Sequence, residues 1–167
     1  MFYRFFLAAL SVMLTALAAE DCRRRTVSDA HLTAVGIWAF TGHIADLAMD
    51  GPGIWPVSLR TGTEAAIVLL TGSVIWSLIM EHMTGRLPMG GADIKLLSVA
   101  ALCLGLARVL VGLCAAAILA AFCLLLRTLF VKPKKELPET IPFVPFLIAG
   151  FVVAYCAGIQ IISWYTA

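Results

Sequence analysis

Chemistry in this chain can be built on Asp21 and Asp93, because each stands at the edge of a long apolar stretch. Ionisable groups at or in a bilayer are costly, so each needs an explanation. Two carboxylates brought close together cannot both ionise; one keeps a proton and the pair titrates as a unit. The ionised member can then take a proton from water while the protonated one hydrogen-bonds a scissile carbonyl. The plainer alternative is two interfacial carboxylates, each solvated or paired with Arg23, Arg24 or Lys95. Asp93 lies in the run Met89-Gly90-Gly91-Ala92-Asp93-Ile94-Lys95-Leu96-Leu97. Small residues ahead of the acid let the backbone approach an extended peptide closely, and an acid at a helix start is favoured in its charged form. A Gly-rich turn capped by Asp explains Gly90, Gly91 and Asp93 as simply. It leaves unexplained Lys95, which could balance the charge or anchor at the interface.

The elements that must position these acids are membrane spans. Of the 167 residues, 62% are hydrophobic and 13% charged, whereas soluble domains run at about 45–50% and about 25%. A water-soluble domain and a disordered chain are both excluded. The net charge of +2, carried by scattered basic residues, gives nucleic acid no footprint. Apolar runs over 2–19, 31–49, 63–80, 94–108, 109–130 and 145–166 satisfy or approach the roughly 20 residues that a hydrocarbon core needs. The expectation is therefore an all-α integral membrane protein, one domain over 1–167 with six transmembrane helices. The fourth run is short and abuts the fifth across 106–108, which predicts a tight helical hairpin or a re-entrant pair. The polar segments 20–29, 50–62, 81–91 and 132–140 read as loops.

Orientation follows from the basic residues. With the first connection in the cytoplasm, the odd-numbered loops collect Arg23, Arg24, Arg25, Arg86, Lys95, Arg127, Lys132, Lys134 and Lys135, against Arg4, Arg60 and Arg108 on the other side. This bias puts both termini outside and sets Trp55 and Trp164 near the outer interface. Exactly two spans separate Asp21 from Asp93, so both emerge on the cytoplasmic face. Arg4 and the Ala16-Leu17-Ala18 run also resemble a cleavable signal peptide, but cleavage would leave Arg23, Arg24 and Arg25 on the outer side, against the charge rule.

Three stretches together resemble a family. The GGADIKLL run is similar to the GxGD signature of the type IV prepilin peptidases, intramembrane aspartyl proteases of pilus and type II secretion systems. The run Asp21-Cys22-Arg23-Arg24-Arg25-Thr26-Val27-Ser28-Asp29 resembles their first motif, an Asp followed by basic residues, and Ile141-Pro142-Phe143-Val144-Pro145-Phe146-Leu147 resembles the start of their last span. The resemblance implies that Asp21 and Asp93 are catalytic, with Gly90, Gly91 and Lys95 in support. It implies as substrate a prepilin, with a basic leader ending in Gly and followed by an apolar helix, cut just after that Gly at the cytoplasmic face of a prokaryotic inner membrane. Ala92 stands where the family usually has its second Gly, and Ser28 where it usually has Pro. The cytoplasmic insert that longer members carry, linked to N-methylation, is not seen here. The chain thus looks like the minimal form found with Flp-type pili and some archaeal systems, expected to cleave without methylating. No metal or cofactor is expected.

Other polar residues have plainer readings. His43 and Asp46 share a helix face but are two donors short of a structural zinc site, so they read as interfacial groups near the outer surface. His31 and His82 read as solvated groups near the cytoplasmic ends, Glu64 as interfacial and Glu81 as lying near the catalytic side. The five cysteines include no CxxC. Small residues such as Gly105, Gly112, Ala116 and Ala120 suit close helix packing in lipid. Two competitors stand beside the peptidase: a small proton- or cation-coupled transporter using the two membrane-edge aspartates, and a catalytically silent assembly partner. Transporters usually hold such groups near the midplane and in internal repeats, and neither feature is visible here.

Overall fold

The described residues form six helices: α1 (Phe2–Arg24), α2 (Asp29–Ala48), α3 (Leu59–Thr84), α4 (Gly91–Leu104), α5 (Leu106–Phe130) and α6 (Val144–Thr166). The computed structural model describes residues 2–48, 53–85, 89–130 and 142–166, and no strand occurs among them. Four helices are long and apolar enough to cross a bilayer: α1 over Arg4–Arg24, α3, α5, and α6 over Val144–Trp164. The 14 residues of α4 rise about 21 Å, less than the hydrocarbon core of about 30 Å. The 20 residues of α2 have the length, but they include Asp29, His31, His43 and Asp46. The all-helical, membrane-type architecture is thus as expected, with four crossings supported by length and composition.

Several boundaries differ from the apolar runs, because a helix continues for as long as its backbone allows. α1 passes residue 19 and takes Glu20, Asp21 and Cys22 into its last turn. It ends only at Arg25, a left-handed residue (φ 55°) whose N–H bonds the Asp21 carbonyl at 2.9 Å. α3 extends past both ends of its apolar run. The Ser58 side chain caps its start, and Gly85 (φ 68°) closes it with an N–H to the Glu81 carbonyl. The part of the expected 81–91 loop that is described is therefore helical at both ends. The break between the fourth and fifth helices falls at Gly105 (φ 77°), not after Arg108, so Arg108 belongs to the first turn of α5. The expected 132–140 loop and its lysines lie outside the described residues.

His43 and Asp46, expected as interfacial groups, each have partners within the bundle. His43 is 2% exposed and its Nε2 meets the Leu102 carbonyl at 3.0 Å, satisfying one of the last carbonyls of α4. The Asp46 carboxylate accepts the N–H groups of Ile54 and Trp55. Trp55, expected near the outer interface, is buried within the protein. Its indole N–H donates to the Ala39 carbonyl at 3.0 Å, and its ring meets Phe6 edge-on at 6.0 Å. This cluster pins the α2–α3 connection to the far end of α4. Trp164 is exposed, as an interfacial indole would be. Glu64 is exposed and pairs with Arg60, one helical turn away.

With no hydrophobic drive between helices in lipid, close backbone approach does much of the packing. α3 lies chiefly against α4, and α5 against α6. A Cβ added to Gly62 of α3 would stand 2.2 Å from the Leu102 carbonyl oxygen, and one added to Gly150 of α6 would stand 2.2 Å from that of Gly112. Leu17, Leu96 and Leu147 fill the centre. The α3–α4 seam predicts that Gly62→Ala forces the two backbones apart and lowers stability by about 1–3 kcal/mol. Gly72→Ala on the same helix, where an added Cβ meets nothing, should be neutral or stabilising. Thermal unfolding of both variants in detergent, followed by circular dichroism, checks this.

Candidate active site

Asp21 sits in the last turn of α1 and is only 7% exposed. A carboxylate at that depth needs donors. One comes from another helix: the Val144 N–H, first in α6, reaches the Asp21 Oδ2 at 3.1 Å. The first N–H groups of a helix lack internal partners and carry its positive end, so the start of α6 is suited to hold an acid. This contact joins the end of α1 to the beginning of α6 across most of the chain. Val144 was in a motif noted in the sequence, but nothing there indicated that its backbone would meet Asp21.

Asp93 is held within its own helix. Gly90 is the N-cap of α4, in extended conformation and without a side chain to cap with. Asp93, three residues on, accepts a hydrogen bond from the Gly90 backbone N–H, the reciprocal half of a capping box. A Cβ at Gly90 would lie 3.3 Å from the Asp93 Oδ2, a tight approach. Asp93 precedes the apolar part of α4 and is outside the four spans. Burial first, and the Asp21 charge second, push its carboxyl up to about 6, against the Gly90 N–H, which favours the charged form.

Both carboxylates line one cavity of about 930 Å³. Arg25, Thr26, Gly90 and Gly91 also line it, with Pro142 and Phe143 leading into α6. Gly90 and Gly91, expected in support, line the same cavity as the two aspartates. An added Cβ at Gly91 would meet nothing, so its surroundings are open. Lys95 is elsewhere: its Nζ pairs with the Asp29 carboxylate and neither group lines the cavity. Lys95 thus corrects to a tie between the first turns of α2 and α4, rather than a counter-charge for the dyad. His31 likewise pairs with Glu20, at 2.7 Å, joining α1 to α2. Among the described residues no three His, Cys, Asp or Glu side chains gather as a metal site. Leu69, Gly72, Ser73 and Trp76 of α3 also line the cavity. They were missed because an apolar stretch in a span looks the same whether it faces lipid or a cleft.

The arrangement offers two carboxyl groups that sense each other, at the polar edge of an apolar bundle, with open glycine backbone alongside. That combination suits proton exchange with a water and a peptide carbonyl. Neither a curated protein nor a solved structure matches the chain. The family model of the Type IV leader peptidase family matches residues 8–125, a stretch that contains both aspartates and the Gly90-Gly91 pair ahead of Asp93. With most of its length so matched, the chain belongs to the type IV leader peptidase family.

Proposed function

We propose that this peptidase is an aspartic-type prepilin leader peptidase whose reacting groups are Asp21 and Asp93. The observation that carries the reading is that both acids line one cavity and that the charge of Asp21 contributes to holding the proton on Asp93. A pair sharing one proton can activate water. The ionised carboxylate takes a proton from it as its oxygen attacks the scissile carbonyl, and the protonated carboxyl donates to the carbonyl oxygen. Collapse of the tetrahedral intermediate breaks the C–N bond, and the new amine leaves with a proton returned by the dyad. The roles of acid and base belong to the pair.

The substrate is a prepilin of the Flp type, cut after the Gly that ends its basic leader and left without N-methylation. The site faces the cytoplasm, both termini lie outside, and six helices form the bundle in the inner membrane. This reading is supported by the distribution of Lys and Arg. It is supported as well by the position of both acids at helix ends on the side where α3 ends and α4 begins.

In cells co-expressing a prepilin, Asp21→Asn and Asp93→Asn should each abolish the shortened product while the enzyme remains abundant in the membrane. Asn keeps the shape and removes the ionisable group, and a single variant that still cuts would contradict the dyad. The purified enzyme should transfer no methyl group from S-adenosylmethionine to the trimmed pilin.

The proton on Asp93 can be followed directly. Its protonated-carboxyl infrared band should titrate near 6 in the wild type, and at a lower pH in Asp21→Asn, where the neighbouring charge is gone but burial remains. Because the folded chain holds this proton more tightly than the unfolded one, Asp93 contributes its full stability below the ordinary carboxylate range. That contribution is lost as pH rises through about 6.

A further inference from the structure

Three arginines follow in the sequence after Asp21 and Cys22, and the last of them lines the cavity. Arg23 and Arg24 close α1 and are not part of the lining, whereas Arg25, Thr26 and Val27, in the connection to α2, are. Among the described residues Arg25 is the one basic side chain on that wall, which it shares with the two acids. It is exposed. Its N–H bond to the Asp21 carbonyl fixes it one helical turn beyond that acid.

Two features set Arg25 apart from an ordinary membrane-edge anchor. Its backbone is left-handed (φ 55°), at the position following a helix that Gly fills without strain. A side chain there costs backbone energy, and such costs gather at working sites. The second feature is that its guanidinium has no ion-pair partner among the described residues. The neighbouring acids Glu20 and Asp29 are taken by His31 and Lys95. Nor is Arg25 among the groups that shift the Asp93 carboxyl. A cation thus lies in the same cavity as the acid pair without being spent on it.

Peptide hydrolysis supplies an anion at this place. The hydroxyl of water goes to the carbonyl carbon and its remaining proton to the amine, so the amino-terminal fragment is released as a carboxylic acid. An α-carboxyl titrates at about 3.3–3.7 and gives its proton to solvent near neutral pH. The new carboxylate then faces a pair that itself carries a negative charge, and like charges at close range repel. The intact peptide bond is neutral, so a cation at this wall gains an ionic partner there only once the bond is cut. From this we infer that Arg25 is a carboxylate subsite for the released leader fragment, drawing its new C-terminus away from Asp21 and Asp93. A guanidinium suits the role, since it can donate two parallel hydrogen bonds to one carboxylate. The inference rests on the peptidase reading above, which provides the carboxylate.

The test compares two synthetic peptides with the sequence of a cleaved leader, one ending in a free carboxylate and the other in an amide. Each is titrated onto the enzyme in nanodiscs and tried as an inhibitor of prepilin cleavage. The wild type should bind the acid about tenfold or more tightly than the amide. Arg25→Gly suits the left-handed backbone, so the helix end and the thermal unfolding temperature should be kept. In that variant the preference for the acid should vanish or reverse, because only the charge of the acid pair remains. Arg25→Lys, with a charge but no planar fork, should keep part of it. Equal binding of the two peptides by the wild type, or a preference for the acid that persists in Arg25→Gly, would overturn the subsite. So would an effect of Arg25→Gly confined to nanodiscs that contain phosphatidylglycerol, which would assign the guanidinium to lipid headgroups. A wild-type enzyme that prefers the acid yet cuts no prepilin would instead overturn the peptidase reading.

Discussion

The structure depends on the hydrogen bond by which the first N–H of α6 reaches the Asp21 carboxylate. A charge at the edge of a bilayer is held only where donors replace the water it has lost. The bundle meets this need with helix starts. α6 offers its leading N–H to Asp21, and α4 offers the N–H of its own cap to Asp93. Helix N-termini are where unpaired donors and positive dipole ends coincide. Two such ends converge on one cavity, which lets two acids share it. The chain order follows from this requirement: α1 must end, and α4 and α6 must begin, at the same end of the bundle.

The remaining polar contacts serve that convergence from a distance. Lys95 with Asp29, and His31 with Glu20, tie the end of α1 and the starts of α2 and α4 to one another. At the opposite end of α4, His43 takes the Leu102 carbonyl while Asp46 and Trp55 close the preceding loop. A short helix that does not fill the membrane thickness is thereby fixed at both ends. Its position is further set by the backbone contact at Gly62.

Much of this was legible in the sequence, for a physical reason. Apolar runs near the length of a span announce helices, and their count between Asp21 and Asp93 led to the expectation of a shared face; the two acids do line one cavity. Gly90 and Gly91 were candidates in the sequence because small residues ahead of an acid leave the backbone open, although a Gly-rich turn capped by Asp explained them as simply. The helix ends were less legible, since apolarity stops at the membrane edge while hydrogen bonding does not. Asp21 therefore proved helical, and the α4–α5 break moved to Gly105. The partners of Lys95, His43 and Trp55 were not legible for a common reason: they are backbone carbonyls, a distant carboxylate or a ring from another helix, and a linear pattern does not encode these. The α3 wall of the cavity had no signal at all, because a leucine facing a cleft and a leucine facing lipid obey the same composition rule.

The central claim is that residues 21 and 93 share one cavity, and cross-linking tests it most directly. In a chain whose five native cysteines are replaced by Ala, Asp21→Cys and Asp93→Cys are combined and treated in intact membranes with a short bifunctional thiol reagent, and the digest is read by mass spectrometry. The account predicts a bridged peptide joining positions 21 and 93 within one chain. Two singly labelled thiols with no bridged product would contradict it.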